Sequence, residues 1–204
     1  RHLMKALLFN VNVPKFLILQ ALRPISQSFC YRGPFSTVKL VDMPEPSLPS
    51  PEWVKVKTRL CGVCGSDINL LFVRDSPTAS PFTSFPCVPG HEICGEVVET
   101  GKAVEHCHTG DLVAILPSLN CHTRAIKPVC RSCAAGITAN CENFAEGAFS
   151  PGMFIGICKD INGGFAEYCV AHKSQVYRVP AGVSPESAAL VEPLAVGLQA
   201  VLDN

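Results

Sequence analysis

Glycine and proline interrupt this chain so often that no apolar run travels far, and this punctuation narrows the fold more than any other feature. Among 204 residues there are 17 prolines and 15 glycines. Proline removes a backbone donor and fixes φ, and glycine is the costliest residue to order, so long helices are disfavoured through most of the length. Residues 44–51 alone hold Pro44, Pro46, Pro49 and Pro51 and can only be a loop. The pieces between the breaks are short and alternate. Residues 4–9, 36–41, 53–60, 92–99, 110–115, 163–170 and 175–179 each read as a strand. Strands of this length and spacing predict a mainly β fold with short helices, a barrel or a sandwich.

Two stretches depart from the pattern. Ser184 followed by Pro185 has a capping residue with proline at the first helical position, so a helix is expected from there. Pro193 then interrupts or restarts it and leaves Glu192 at the break. At the other end, residues 1–41 carry Arg1, Lys5, Lys15, Arg23, Arg32 and Lys39 and no acid, a balance that also suits an organelle transit peptide. The strands expected at 4–9 and 36–41 instead make the segment part of the fold. Because the chain opens with Arg, a missing or altered natural start is expected.

Charge and cysteine usage limit the partners. Lys plus Arg (17) equals Asp plus Glu (17), a balance that gathers neither nucleic acid nor an anionic membrane. No apolar run approaches the roughly 20 residues needed to span a bilayer, and the expectation is a soluble, cytoplasmic protein with a small uncharged substrate. Twelve cysteines occur without a secretory leader. Cys130, Cys133 and Cys141 are clustered, which points to metal rather than to a disulfide framework.

The chemistry concentrates in residues 61–67, Cys-Gly-Val-Cys-Gly-Ser-Asp, where an expected strand ends and a short helix begins. Cys64 is the better thiolate candidate because it stands at the turn, and Cys61 is expected to pack inside. A Cys61/Cys64 redox pair is the rival. His91 and Glu92 follow in Pro-Gly-His-Glu, and Glu192 lies in the run Val-Glu-Pro. Taken alone His91 reads as a satisfied loop histidine. Thiolate, imidazole and carboxylate together form the three-ligand set of a catalytic zinc with one open position.

Residues 61–67, 89–92, 110–113 (Gly-Asp-Leu-Val), 163–168 (Gly-Gly-Phe-Ala-Glu-Tyr) and 190–194 (Leu-Val-Glu-Pro-Leu) together resemble the zinc-dependent medium-chain alcohol dehydrogenases, in that family's order and spacing. The resemblance implies a GroES-like, partly open β-barrel as the catalytic domain. It makes Cys64 and His91 zinc ligands and Glu92 a close or alternating one. Glu192, where many alcohol dehydrogenases carry Cys, is similar to the polyol, sugar and threonine dehydrogenase branch. It further implies that zinc lowers the pKa of a substrate hydroxyl before hydride leaves for NAD or NADP. Ser66 would accept the hydroxyl proton and Asp67 would orient a ligand. Asn69 stands where many relatives have a relay histidine, and an amide cannot carry a proton by changing charge.

The same resemblance gives Cys130, Cys133 and Cys141 the last three positions of a structural zinc lobe. The usual first position is Lys127 here. Cys121 is the expected fourth ligand, with residues 122–129 bulging out as a small loop. His122 in its place, or an empty lobe, are the alternatives. The cysteines at 30, 87, 94, 107, 158 and 169 read as buried hydrophobes.

A dinucleotide site normally shows Gly-x-Gly-x-x-Gly at a strand-to-helix turn, and none occurs here. The expected organisation is an N-terminal strand and extension over 1–35, the catalytic domain over 36–183 with a lobe at about 120–145, and a helical connection over 184–204 toward an absent cofactor domain. The expected function is the catalytic part of an NAD(P)-dependent dehydrogenase of an alcohol, polyol or sugar, homo-oligomeric when complete and inactive as this piece. The competing reading is a truncated zinc-binding structural or interaction module. Pocket residues are expected to include Ser66, Asn69 and parts of the loop at 76–86.

Overall fold

The computed structural model describes residues 2–75 and 81–202. Strand β1 (Leu3–Phe9) pairs antiparallel with β2 (Val38–Pro44), and helix α1 (Val13–Leu22) lies between them in the chain. Next come β3 (Trp53–Gly62), helix α2 (Gly65–Leu71), β4 (Glu92–Thr100), β5 (Leu112–Ile115), the short helix α3 (Arg131–Ala134), β6 (Tyr168–His172) and β7 (Val176–Arg178). Helices α4 (Pro185–Ala189) and α5 (Val191–Leu202) end the described chain. The larger sheet runs β6-β3-β4-β5-β7, antiparallel throughout. The β1–β2 pair is bridged from Ala6 to Ala166, just before β6, and from Phe9 to Cys87, in the segment before β4. The result is mainly β, as the strand spacing led one to expect, and of the two forms that spacing allowed it is the partly open barrel that the resemblance implied.

Alternation in β3 drives the core. Trp53, Val54 and Val56 are buried beside Ile93 and Val97 of β4, Val113 and Ile115 of β5, and Cys169 and Val170 of β6. Each such side chain contributes roughly 1.5–3 kcal/mol by leaving water. Lys55 carries the opposite face and pairs with Glu99 at 3.1 Å, a surface contact worth little by itself.

The register of β3 on β4 positions everything that follows. Two irregularities, between Lys55 and Val56 and between Thr58 and Leu60, shift the ladder so that Gly62 ends opposite Glu92. Residues just after β3 therefore meet residues just before β4.

Several boundaries differ from the sequence expectation for identifiable reasons. Strand β6 begins at Tyr168 because the amides of Gly163, Gly164 and Phe165 donate to carbonyls of Val88, Gly90 and Pro89 instead of joining the β3–β6 ladder. The helix break falls at Leu190 rather than at Glu192, and Pro193 sits in the first turn of α5, where its missing donor costs nothing. Helix α1 was not expected at all. Residues 122–129 do not simply bulge outward, since Thr123 and Arg124 are buried. Of the expected pocket loop, residues 76–80 lie outside the described residues. No helix among the described residues is long and apolar enough to cross a membrane.

Candidate metal centres

Cys64 is the N-cap of α2, its backbone extended at φ −76°, ψ 157°. The Cys64 N–H donates to Asp67 Oδ2 at 2.9 Å and the Gly90 N–H to Asp67 Oδ1 at 3.3 Å. One carboxylate thus ties the turn after β3 to the turn before β4. Gly90 makes the second turn possible: its φ is +92°, and a Cβ there would stand 2.8 Å from both Cys61 Sγ and the Phe165 ring. His91 follows, buried, with Nδ1 3.8 Å from Asp67 Oδ1 and its ring 4.9 Å from that of Phe154.

Cys64, His91 and Glu92 offer one ligand atom each, all within 4.8 Å of one another. The Glu92 side chain occupies the space that a Cβ on Gly62 would fill, so this glycine makes room for the carboxylate. Glu192 is not in that close set. It stands in the first turn of α5, half-buried. Burial raises its pKa, partly offset by His91 and reinforced by Glu92. Ser66 is exposed on the first turn of α2, and Asn69 is exposed one turn along on the same face. The thiol of Cys61 is pushed up to about 12, first by burial and then by Asp67. It therefore stays protonated near neutrality, which argues against a redox pair with Cys64.

Asp67→Asn tests the tie between the two turns. The amide is nearly isosteric but brings no negative charge to the imidazole. Affinity for metal at the Cys64 set is expected to fall by about 10–100-fold, with the fold intact, as read by competition against a chromogenic chelator.

The second group is Cys121, Cys130, Cys133 and Cys141, again with all sulfurs within 4.8 Å of one another. Cys121 Sγ and Cys141 Sγ are 3.7 Å apart, and Cys130 Sγ and Cys141 Sγ are 4.0 Å apart. A disulfide would bring sulfurs to about 2.05 Å. A tetrahedron with spokes of about 2.3 Å has edges of about 3.8 Å, so the spacing fits a closed zinc site. Amide donors also face the sulfurs: Cys130 N–H to Cys121 Sγ at 3.3 Å, Asn143 N–H to Cys141 Sγ at 3.4 Å, and the Asn143 side-chain amide to Cys121 Sγ at 3.3 Å. The backbone N–H groups of Glu142 and Cys133 hold the Cys130 thiol down to about 6, whereas burial pushes Cys133 and Cys141 up. His122 is exposed, and Cys121 is the residue that joins the cluster.

The described cysteines are all free. Those at 30, 87, 94, 107, 158 and 169 are buried, with burial the first cause raising each thiol pKa. The residue that sequence reasoning missed is Phe154, whose ring lies against His91; nothing in its local pattern marks it.

Comparison with known families decides the relationship, because the alcohol dehydrogenase GroES-like domain family matches residues 50–181. The chain belongs to this family. Within it, the chain is 34% identical over 155 residues to L-galactonate-5-dehydrogenase of Escherichia coli, covering 76% of this chain and 39% of that protein. Among solved structures, the galactitol-1-phosphate dehydrogenase of Escherichia coli superposes with a TM-score of 0.66 at 26% identity, covering 96% of this chain and 43% of the other. A Sinorhizobium meliloti protein bound to NADP gives 0.68 at 28%, covering 98% and 45%. This chain therefore spans about two fifths of the length of such relatives.

Proposed function

We propose that this chain is the zinc-holding catalytic portion of an NAD(P)-dependent dehydrogenase that oxidises a hydroxyl of an alcohol, polyol or sugar. The observation that carries the reading is the β3–β4 register, which brings Cys64, His91 and Glu92 within reach of one ion. Zinc bound there would supply a Lewis acid that draws down the pKa of a hydroxyl. Cys64, His91 and Glu92 would hold it, and Glu192 is the nearby carboxylate that can join or alternate with Glu92. Asp67 keeps the imidazole oriented through its contacts with both turns. Ser66 accepts the proton from the substrate hydroxyl. Asn69 cannot pass that proton on by changing charge, so the relay would have to use water, a cofactor hydroxyl or another group.

In the same reading, Cys121, Cys130, Cys133 and Cys141 hold a structural zinc. Relatives named for L-galactonate and galactitol 1-phosphate support a polyhydroxylated substrate, and the neighbour bound to NADP supports a nicotinamide cofactor. The dinucleotide fingerprint is not among these 204 residues. A homo-oligomer is proposed for the complete enzyme. A reducing, cytoplasmic setting suits an array of free cysteines.

The test is the initial rate of nicotinamide reduction by the full-length protein across a panel of alcohols, polyols and sugar phosphates. Ser66→Ala is expected to lower kcat on the best substrate by about 10²-fold or more while leaving both metals in place. Absence of any oxidation by a protein that holds both metals would overturn the reading.

A further inference from the structure

Arg124 is the largest fully buried side chain among the described residues, at 0% exposure, in a stretch that reads as a loop. Among the described residues no carboxylate forms an ion pair with it. Its Nη1 donates to the carbonyls of Glu146 at 3.0 Å and Phe149 at 2.9 Å, and its Nη2 to those of Ser150 at 3.2 Å and Gly152 at 2.6 Å. Both terminal nitrogens are thereby engaged, while Nε has no partner among the described residues. A planar fork of this kind suits an array of fixed carbonyls, and an ammonium does not reproduce it.

Both ends of the clamp are anchored. Arg124 N–H donates to Asn120 O at 3.0 Å and Ile126 N–H to Cys121 O at 2.9 Å, which ties its backbone to the turn that carries Cys121. Ala148 N–H donates to Arg124 O at 2.9 Å, and a Cβ on Gly147 would meet that oxygen at 2.5 Å, so the facing loop is shaped for close approach. Two residues beyond Gly152 the chain reaches Phe154, bridged to Ser118, whose ring packs on His91.

We infer that Arg124 is a positioning residue: its grip on the carbonyls of residues 146–152 fixes the run leading into Phe154 and so holds that ring against His91. One side chain thereby links the turn of Cys121 to the Cys64 and His91 set. The inference rests on the proposed metal reading only for its spectroscopic arm.

The test uses the chain loaded with cobalt(II) in place of zinc, comparing wild type, Arg124→Lys and Phe154→Leu. Amide exchange over residues 144–154 is followed alongside the visible cobalt bands that disappear in Cys64→Ala. Arg124→Lys keeps the charge but not the fork, so protection over 144–154 is expected to fall by about tenfold or more. The bands that depend on Cys64 are expected to shift. Phe154→Leu is expected to shift the same bands while protection at 146–152 stays as in wild type, which keeps the test open if Arg124→Lys does not fold. Exchange that loosens with bands unmoved in both variants reduces Arg124 to a purely structural role and overturns the inference, as does unchanged exchange. If wild type shows no bands that depend on Cys64, the metal reading fails separately. The clamp is then judged on exchange and on the Phe154 and His91 ring resonances, which must shift in Arg124→Lys for it to stand.

Discussion

A Cys64→Ala chain is expected to hold one zinc fewer than wild type and to remain folded, and the full-length enzyme carrying it is expected to lose activity by about 10³-fold or more. Lewis-acid stabilisation is worth several kcal/mol, and each 1.36 kcal/mol is about tenfold in rate. Three neighbouring groups offer ligand atoms at this site; without the thiolate only His91 and Glu92 remain in the close set, with Glu192 nearby. The cost to stability is expected to be small, because Cys64 is only half-buried and its backbone N–H donates to Asp67, a bond that alanine retains. Elemental analysis under reducing conditions, beside a thermal scan, separates the two effects. Retention of all zinc by Cys64→Ala would remove the catalytic assignment and leave the structural-module reading in its place.

Much of this arrangement is legible in the sequence wherever burial follows periodicity. Strands β3 and β4 alternate because one face enters the core, and the turn residues of their ends are the glycines at 62 and 90, which their contacts require. Legibility fails where polar side chains turn inward. Helix α1 leaves Val13, Leu17 and Ile18 exposed, whereas the side chains of Lys15, Gln20 and Arg23 reach carbonyls of Asn10, Ser36, Phe72 and Val73. Its inward face mixes these polar residues with Phe16 and Leu19, which blurs the apolar period, and only Asn12 capping the Lys15 N–H, with Pro14 behind it, signals a start. Arg124 hides for the same reason. A lone arginine in an insertion reads as solvated, and nothing local reveals four carbonyls waiting some 22–28 residues further on.

Cys133→Ala is expected to act differently from Cys64→Ala, unfolding a lobe while zinc stays at the Cys64 set, with the Phe154 contact on His91 loosened as the Arg124 grip is lost. Cys133 is buried in α3, and no other cysteine lies in the cluster to replace it. A structural zinc supplies folding free energy directly, and residues 131–148 contain little regular structure beyond α3 and a turn at Thr138–Asn140 to hold the lobe without it. A loss of about 4 kcal/mol corresponds to a fall in Tm of about 8–16 °C for a chain of this size. Zinc content should again drop by one, but now with proteolytic cleavage appearing between residues 121 and 148. Acid should reproduce the effect in wild type. Backbone N–H groups lower the Cys130 thiol to about 6 while burial raises Cys133 and Cys141, so lobe zinc is expected to leave progressively as pH falls. Metal binding and protonation compete for the same sulfurs. A lobe that keeps its protection in Cys133→Ala, or after chelator treatment at neutral pH, would mean that packing alone holds residues 121–148 together and that the four sulfurs are close for another reason.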